Sequence, residues 1–301
     1  MALDFKARVA IVTGAGGGLG RQHALALAAR GARVVVNDLG GALDGSGGSV
    51  SAAQAVVDEI RARGGEAIAN GASVTDFDAV QKMVQQALDT WGRVDVVVSN
   101  AGILRDKTFA KMDLADFRQV LDVHLMGAVH LCKAVWPHMI AQKYGRIVLT
   151  TSSSGLYGNF GQTNYGAAKL ALVGLMQTLA LEGAKHDIRV NCLAPTAATR
   201  MTENLFPPDM LQAFGPEAVV PAMLVMASQD APTRTTLCAG AGAFEAAHIT
   251  MTRGTYIGIG PDVDEQLAAR LPEVTDRAGE TVPGSGAQQG ENELRLARTA
   301  R

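Results

Sequence analysis

Short apolar runs recur along the chain, each followed by a longer stretch of helical pattern. Arg8–Thr13, Arg33–Asn37, Glu66–Asn70, Val94–Ser99, Arg146–Thr151 and Ile188–Leu193 are such runs, and a seventh falls at Leu237–Ala241. The apolar residues are continuous within each run, so both faces of each strand are buried. That predicts a parallel sheet covered by helices. The strand–helix alternation predicts one doubly wound α/β domain, a seven-stranded parallel sheet flanked by helices, over residues 1–260. Residues 261–301 read as an extension. Its first part, Asp262–Leu271, has helical pattern; from Arg277 on it is rich in Gly, Gln, Glu and Arg and is expected to be mobile. The stretches Leu114–Gln142 and Tyr165–Lys185 are apolar on more than one face. A helix covering a sheet needs a single apolar stripe. The surplus predicts a second subunit, in a homodimer or homotetramer.

Composition sharpens this picture. The chain has 34 glycines in 301 residues, well above a typical share of about 7%. There is no Gly-X-Y period, so the excess belongs to tight turns and ligand cradles. A net charge of −2 and a pI of about 6.3 leave no basic footprint for nucleic acid or an acidic membrane. No run reaches the ~18 apolar residues of a membrane span. Cys132, Cys192 and Cys238 lie far apart with no CxxC, which predicts three reduced thiols and no metal site. The opening MALDFKARVAIV lacks a charged leader before an apolar core, and the closing LARTAR is not a peroxisomal address. A cytoplasmic setting is the expectation.

The turn Thr13-Gly14-Ala15-Gly16-Gly17-Gly18-Leu19-Gly20 joins the first strand to the first helix. Glycines there let backbone approach a phosphate closely, and the helix start offers free N–H groups to a pyrophosphate. Strand before and helix after make this a dinucleotide-binding (Rossmann) turn. Asp38 ends the second strand. A carboxylate there accepts from both ribose hydroxyls and repels a 2′-phosphate. Gly17 withholds a basic side chain from the same region. Both features point to NAD over NADP. Arg21, close by, counts the other way, although a guanidinium at the helix start can equally contact Asp38 or the helix of a partner.

Tyr165 and Lys169 are four apart at the start of a helix and share a face. Ser152 ends the fifth strand, thirteen residues before Tyr165. Ligands of open α/β sheets bind at the carboxyl ends of strands, where the glycine turn, Asp38, Asn100 and Ser152 all fall. A free tyrosine, with a pKa near 10, is a poor base at neutral pH. A lysine ammonium one turn away favours its phenolate. Tyr165 then takes an alcohol proton, or returns it, while Ser152 holds the same oxygen in line.

With TGAGGGLG, Ser99-Asn100-Ala101-Gly102 and Ser152…Tyr165-xxx-Lys169 in view, the chain resembles the short-chain dehydrogenase/reductase family over about residues 5–245. Val35–Gly41, Val123–Gly127, Lys143–Val148, Ser154–Lys169, Ala194–Thr202 and Ala239–Gly242 are similar to the (3R)-hydroxyacyl-CoA dehydrogenase part of peroxisomal multifunctional enzymes of type 2. The resemblance implies cofactor contacts from Gly14, Gly16, Gly18, Leu19, Gly20, Asp38, Ser73, Val74, Asn100, Ala101, Gly102, Tyr165, Lys169, Pro195 and Thr199. It also brings His124 into the catalytic set. Most of the broader family has asparagine there, whose main-chain carbonyl holds a water in a proton path to the lysine. Histidine keeps a carbonyl. The family's usual Pro-Gly after the sixth strand is Pro195-Thr196 here. Residues 199–230 take the place of a substrate lid, and Tyr157, Phe160, Met201 and Phe206 are the candidate substrate contacts. The implied reaction is the NAD-dependent interconversion of a secondary alcohol and a ketone, with a (3R)-3-hydroxyacyl-CoA as substrate and Arg105, Lys107 and Arg200 as candidates for its phosphates. The alternatives are a hydroxysteroid or other bulky alcohol, and a non-catalytic NAD-binding protein.

Overall fold

The computed structural model describes residues 3–41, 49–198 and 212–299. The chain divides into two compact units, one up to Ala247 and one from His248 on. The first is built on strands β1 (Val9–Thr13), β2 (Arg33–Asn37), β3 (Glu66–Asn70), β4 (Val96–Ser99), β5 (Gly145–Thr150), β6 (Ile188–Pro195), β7 (Thr236–Gly240) and β8 (Ala243–Ala247). They lie in one sheet in the order β3-β2-β1-β4-β5-β6-β7-β8. The order reverses at β1, where β2 lies on one side and β4 on the other, and that switch point opens a crevice at the strands' carboxyl ends.

The first seven strands pair in parallel, as their continuous apolar runs predict. The eighth corrects the expectation of a purely parallel, seven-stranded sheet: β8 pairs antiparallel to β7. The cause is local. Ala241 and Gly242 both have positive φ, 50° and 79°, which makes a two-residue reversal that can return the chain only as a hairpin.

Alternate residues of the central strands feed two cores. Ala10, Val12, Val34, Val36, Val96 and Val98 pack on one face with helices α1 (Gly18–Ala28) and α2 (Ser51–Ala62). Val9, Ile11, Val35, Val97, Ile147 and Leu149 pack on the other, against α3 (Phe77–Trp91), α5 (Gly127–Gln142) and α7 (Thr163–Gly183). Two short helices, α4 (Leu114–Leu121) and α6 (Ser153–Tyr157), complete the frame of the site.

Four further expectations change. The single helix expected over Leu114–Gln142 is α4 and α5 joined through a π-turn at Asp122–Met126. A helix at Thr163–His186 is, by length and a mean hydropathy of 1.2, long and apolar enough to cross a membrane, contrary to the expectation of no such run. In this structure it contributes Leu172, Val173 and Met176 to the core. Of the expected lid, 199–211 lies outside the described residues, and Val220–Ala227 is a helix with Ala222, Met223, Leu224, Met226 and Ala227 buried. VPAMLVMA is apolar all round, which suits a core helix. The second unit holds helices Val263–Val274 and Ala287–Thr299. The latter stands where mobile chain was expected; its Gln, Glu, Leu and Arg are strong helix formers, and Gln289 and Glu293 bond one turn apart.

Candidate active site

The glycine turn is shaped by packing that tolerates no side chain. Gly14 has φ +62°, and a Cβ there would lie 2.8 Å from the Ala101 Cα. A Cβ on Gly20 would run into the Gly14 carbonyl, and one on Gly16 would sit 2.8 Å from Asp38 Oδ2. The turn is also tied to β4. Thr13 Oγ1 accepts from the N–H groups of Asn100 (3.0 Å) and Ala101 (3.1 Å), and the Asn100 amide donates back to Thr13 O and Gly14 O. Asn100 thus holds the cradle's shape.

Beside the cradle lies a cavity of about 400 Å³, lined by Gly14, Gly18, Leu19, Asp38, Ser73, Val74, Asn100, Ala101 and Gly102 among others. Nine of the predicted cofactor positions therefore share one cleft. Both Asp38 oxygens are pinned by main chain: Oδ2 accepts from Gly16 N–H at 2.7 Å and Oδ1 from Gly40 N–H at 2.6 Å. A carboxylate oxygen has two lone-pair sites, so each keeps one for a ribose hydroxyl. Arg21 does not pair with Asp38. It pairs with Glu59 on α2 of its own chain at 2.5 Å. The tight backbone cradle and the oriented carboxylate fit a dinucleotide.

Ser152, Tyr165 and Lys169 meet at the ends of β5 and α7. Ser152 caps α6 by accepting from Ser154 N–H at 3.2 Å, and its hydroxyl also bonds the Tyr165 phenol. Lys169 Nζ is buried, donates to Thr150 O at 2.5 Å and lies 5.4 Å from the Tyr165 ring centroid. Burial reverses the expected electrostatics. It pushes the Tyr165 phenol above its ordinary value, against the lowering effect of the Ser152 bond, and Asp106 adds to the rise. It also pulls Lys169 down to about 7. The lysine charge is therefore only partly present at neutral pH, while the phenol keeps its proton.

His124 is buried in the π-turn. Its ring stands edge-on to Tyr165, with centroids 5.1 Å apart at 88°. Its Nε2 lies 2.8 Å from Ile103 O and 3.1 Å from Ile103 N, while Nδ1 has no partner among the described residues. Burial and the nearby Lys169 hold it neutral. The side chain thus buttresses Tyr165, in addition to the main-chain role implied by resemblance. A second brace is absent from the predicted site residues. Buried Gln162 donates to Asp106 at 2.6 Å and accepts from Ser154 and Asn159, while Asn164 donates to Arg105 O and accepts from Tyr165 N–H. These amides fix the entry to α7. They carry no motif of their own beyond their place between Ser152 and Tyr165.

Pro195 ends β6 beside Ala239. Thr199, Met201 and Phe206 lie outside the described residues, as does Arg200. Tyr157 and Phe160 are exposed, at 73% and 88%, and do not line the described cavity. The Tyr157 hydroxyl bonds the Cys238 thiol. Arg105 and Lys107 are both ion-paired: Arg105 to Asp116 at 2.7 Å, Lys107 to Asp113 and Asp116 at 3.0 and 3.1 Å.

Residues 8–209 match the family described as short chain dehydrogenase. The chain belongs to the short-chain dehydrogenase/reductase family. It is 51% identical over 278 residues to a short-chain type dehydrogenase/reductase of Mycobacterium tuberculosis, covering 92% of this chain and 97% of that protein. It is 56% identical over 224 residues to the peroxisomal hydratase-dehydrogenase-epimerase of Saccharomyces cerevisiae, covering 74% of this chain but only 25% of that protein. The structure of full-length peroxisomal multifunctional enzyme type 2 from Drosophila melanogaster superposes with a TM-score of 0.84 at 34% identity, covering 99% of this chain and 51% of that one. The chain therefore spans a quarter to a half of these multifunctional relatives. As a short-chain dehydrogenase/reductase it is an oxidoreductase acting on CH–OH groups, in a family that uses NAD or NADP.

Proposed function

We propose that this short-chain dehydrogenase/reductase is NAD-dependent and interconverts a (3R)-3-hydroxyacyl-CoA and its 3-oxo form. The observation that carries the reading is the Ser152–Tyr165–Lys169 cluster at the sheet edge that holds Asp38 and the glycine cradle. A bound nicotinamide supplies the acceptor or donor of hydride. Ser152 and Tyr165 bind the substrate oxygen together. Tyr165 takes the hydroxyl proton on oxidation and returns it on reduction. Lys169, one turn along α7, shares that proton's charge.

The acyl-CoA assignment rests on the likeness of the chain's motifs to the dehydrogenase part of type 2 multifunctional enzymes. One observation favours the second reading, a hydroxysteroid or other bulky uncharged alcohol. Arg105 and Lys107, candidates for the CoA phosphates, are already engaged by Asp113 and Asp116. Steady-state kinetics with a 3-hydroxyacyl-CoA panel beside a hydroxysteroid panel, each with NAD and NADP, decides between them. The expected result is turnover of the R acyl-CoA with kcat/KM at least about tenfold above any steroid, and NAD preferred at least about a hundredfold. Turnover of steroids alone overturns the substrate assignment. A preference for NADP overturns the role given to Asp38.

The same reading includes a homodimer or homotetramer. Leu114 (81% exposed), Leu170 and Leu181 leave apolar surface on α4 and α7, the two helices whose sequence carries surplus apolar faces. Light scattering is expected to give two or four chain masses; a monomer at micromolar concentration removes this part of the proposal.

A further inference from the structure

Two polar side chains line the dinucleotide cleft without a partner of their own. Gln119 on α4 and Asp122 at the start of the π-turn are three residues apart, hence on one face, and both border the cavity together with Ser73, Val74 and Thr75. The loop opposite them is locked in place. The His130 ring Nδ1 meets Val74 O at 2.9 Å, and a Cβ on Gly127 would lie 2.7 Å from the Val74 side chain. Ser73 and Thr75 satisfy each other, hydroxyl to hydroxyl, at 2.8 Å.

Asp122 and Gln119 make no side-chain hydrogen bond among the described residues, whereas Asp113 and Asp116 nearby are both ion-paired. Among the described residues the cavity lining contains no Lys or Arg, so none of these offers Asp122 a charge partner. A half-buried carboxylate facing a cavity, with no donor among the described residues, is suited to a donor on the ligand. Asp38 accounts for the ribose, and the base attached to that ribose extends along the same cleft. Adenine presents one exocyclic donor, the 6-amino group, with a ring-nitrogen acceptor on either side of it. A carboxylate matches the amino group, and the Gln119 amide N–H matches a neighbouring ring nitrogen.

We propose that Asp122, with Gln119 beside it, reads the adenine 6-amino group and makes the cleft discriminate against 6-oxo purines. A 6-oxo group there sets a carbonyl oxygen against the carboxylate where adenine offers a donor, and so costs the pair its matched hydrogen bonds. The inference rests on the dinucleotide reading of the cleft.

Calorimetric titration of the full chain with NADH and with reduced nicotinamide hypoxanthine dinucleotide tests it without turnover. The wild-type protein is expected to bind NADH about tenfold more tightly or better. Asp122→Asn can present either an N–H or an oxygen, and is expected to cut that ratio to about twofold or less with an unchanged melting temperature. Asp122→Ala, which removes the group outright, is expected to show the same collapse. Equal binding of the two dinucleotides by the wild type, or full discrimination kept by either variant, overturns this inference and leaves the cofactor reading standing. Binding of neither dinucleotide overturns both.

Discussion

Phenylalanine at position 165 is expected to lower kcat/KM by about a thousandfold or more, while the dissociation constant for NADH stays within about twofold. The substitution removes one oxygen and keeps the ring, so the edge-on contact to His124 at 5.1 Å survives. What goes is the hydroxyl that bonds Ser152. Neither remaining group can take its place. Ser152 has a hydroxyl of high intrinsic pKa, and Lys169 Nζ is turned to the Thr150 carbonyl. The electrostatics also set the pH behaviour of the wild type. Burial holds Tyr165 above its ordinary value and Lys169 near 7. With the phenol held above its ordinary value, the base form of Tyr165 becomes more populated as pH rises, so alcohol oxidation is expected to rise with pH while ketone reduction, which uses the protonated phenol, is not. Steady-state rates in both directions across pH 6–10 check this. A Tyr165→Phe variant that keeps more than about a tenth of wild-type oxidation refutes the assignment of Tyr165 as the acid–base group.

Features set by short-range chemistry were legible in the sequence. Val9–Val12 and Val34–Val36 are uninterrupted apolar residues, and such a strand is stable only with both faces covered. The run Gly14–Gly20, set between a strand and a helix, marks a phosphate cradle. Tyr165 and Lys169 share a face by helical spacing alone. What stayed hidden depended on tertiary burial or on one residue's backbone angle. The β7–β8 reversal turns on Ala241 at φ 50°, and alanine gives little sign of a positive φ. The π-turn at Asp122–Met126 is one residue of extra winding inside a continuous helical pattern. It turns His124 in toward Tyr165 and places Asp122 on the cleft. The fold's plan puts Arg21 near Asp38, yet its ion pair with Glu59 needs the packing of α1 on α2. The sign of the Tyr165–Lys169 electrostatics failed for the same reason. Spacing gives proximity, but the dominant effect at both groups is the loss of water around them, which no local pattern reports.

Leucine at position 23 is expected to make the protein markedly less sensitive to acid. His23 lies in the middle of α1, fully buried, with both ring nitrogens lacking a hydrogen-bond partner among the described residues. Its neighbours in α1, Ala24, Leu25 and Leu27, belong to the apolar core. Burial alone pulls its pKa from 6.5 to about 4. A histidine lowered on folding is neutral in the native state while the unfolded chain already binds a proton. Its contribution is complete above pH 6.5, falls as pH drops from 6.5 to about 4, and is constant below that. The loss is about 3 kcal/mol, because each tenfold change in proton affinity between the folded and unfolded chain is worth about 1.4 kcal/mol. At neutral pH, leucine also removes two unsatisfied polar atoms from an apolar site, an effect of about 1–3 kcal/mol that offsets any strain from the change of shape. Urea denaturation of wild type and His23→Leu at pH 7 and pH 4 measures both effects. The variant is expected to match or exceed wild type at pH 7 and to lose about 3 kcal/mol less on going to pH 4. Parallel losses in the two proteins mean that the imidazole finds a partner, such as an internal water, that keeps its protonation uncoupled from folding.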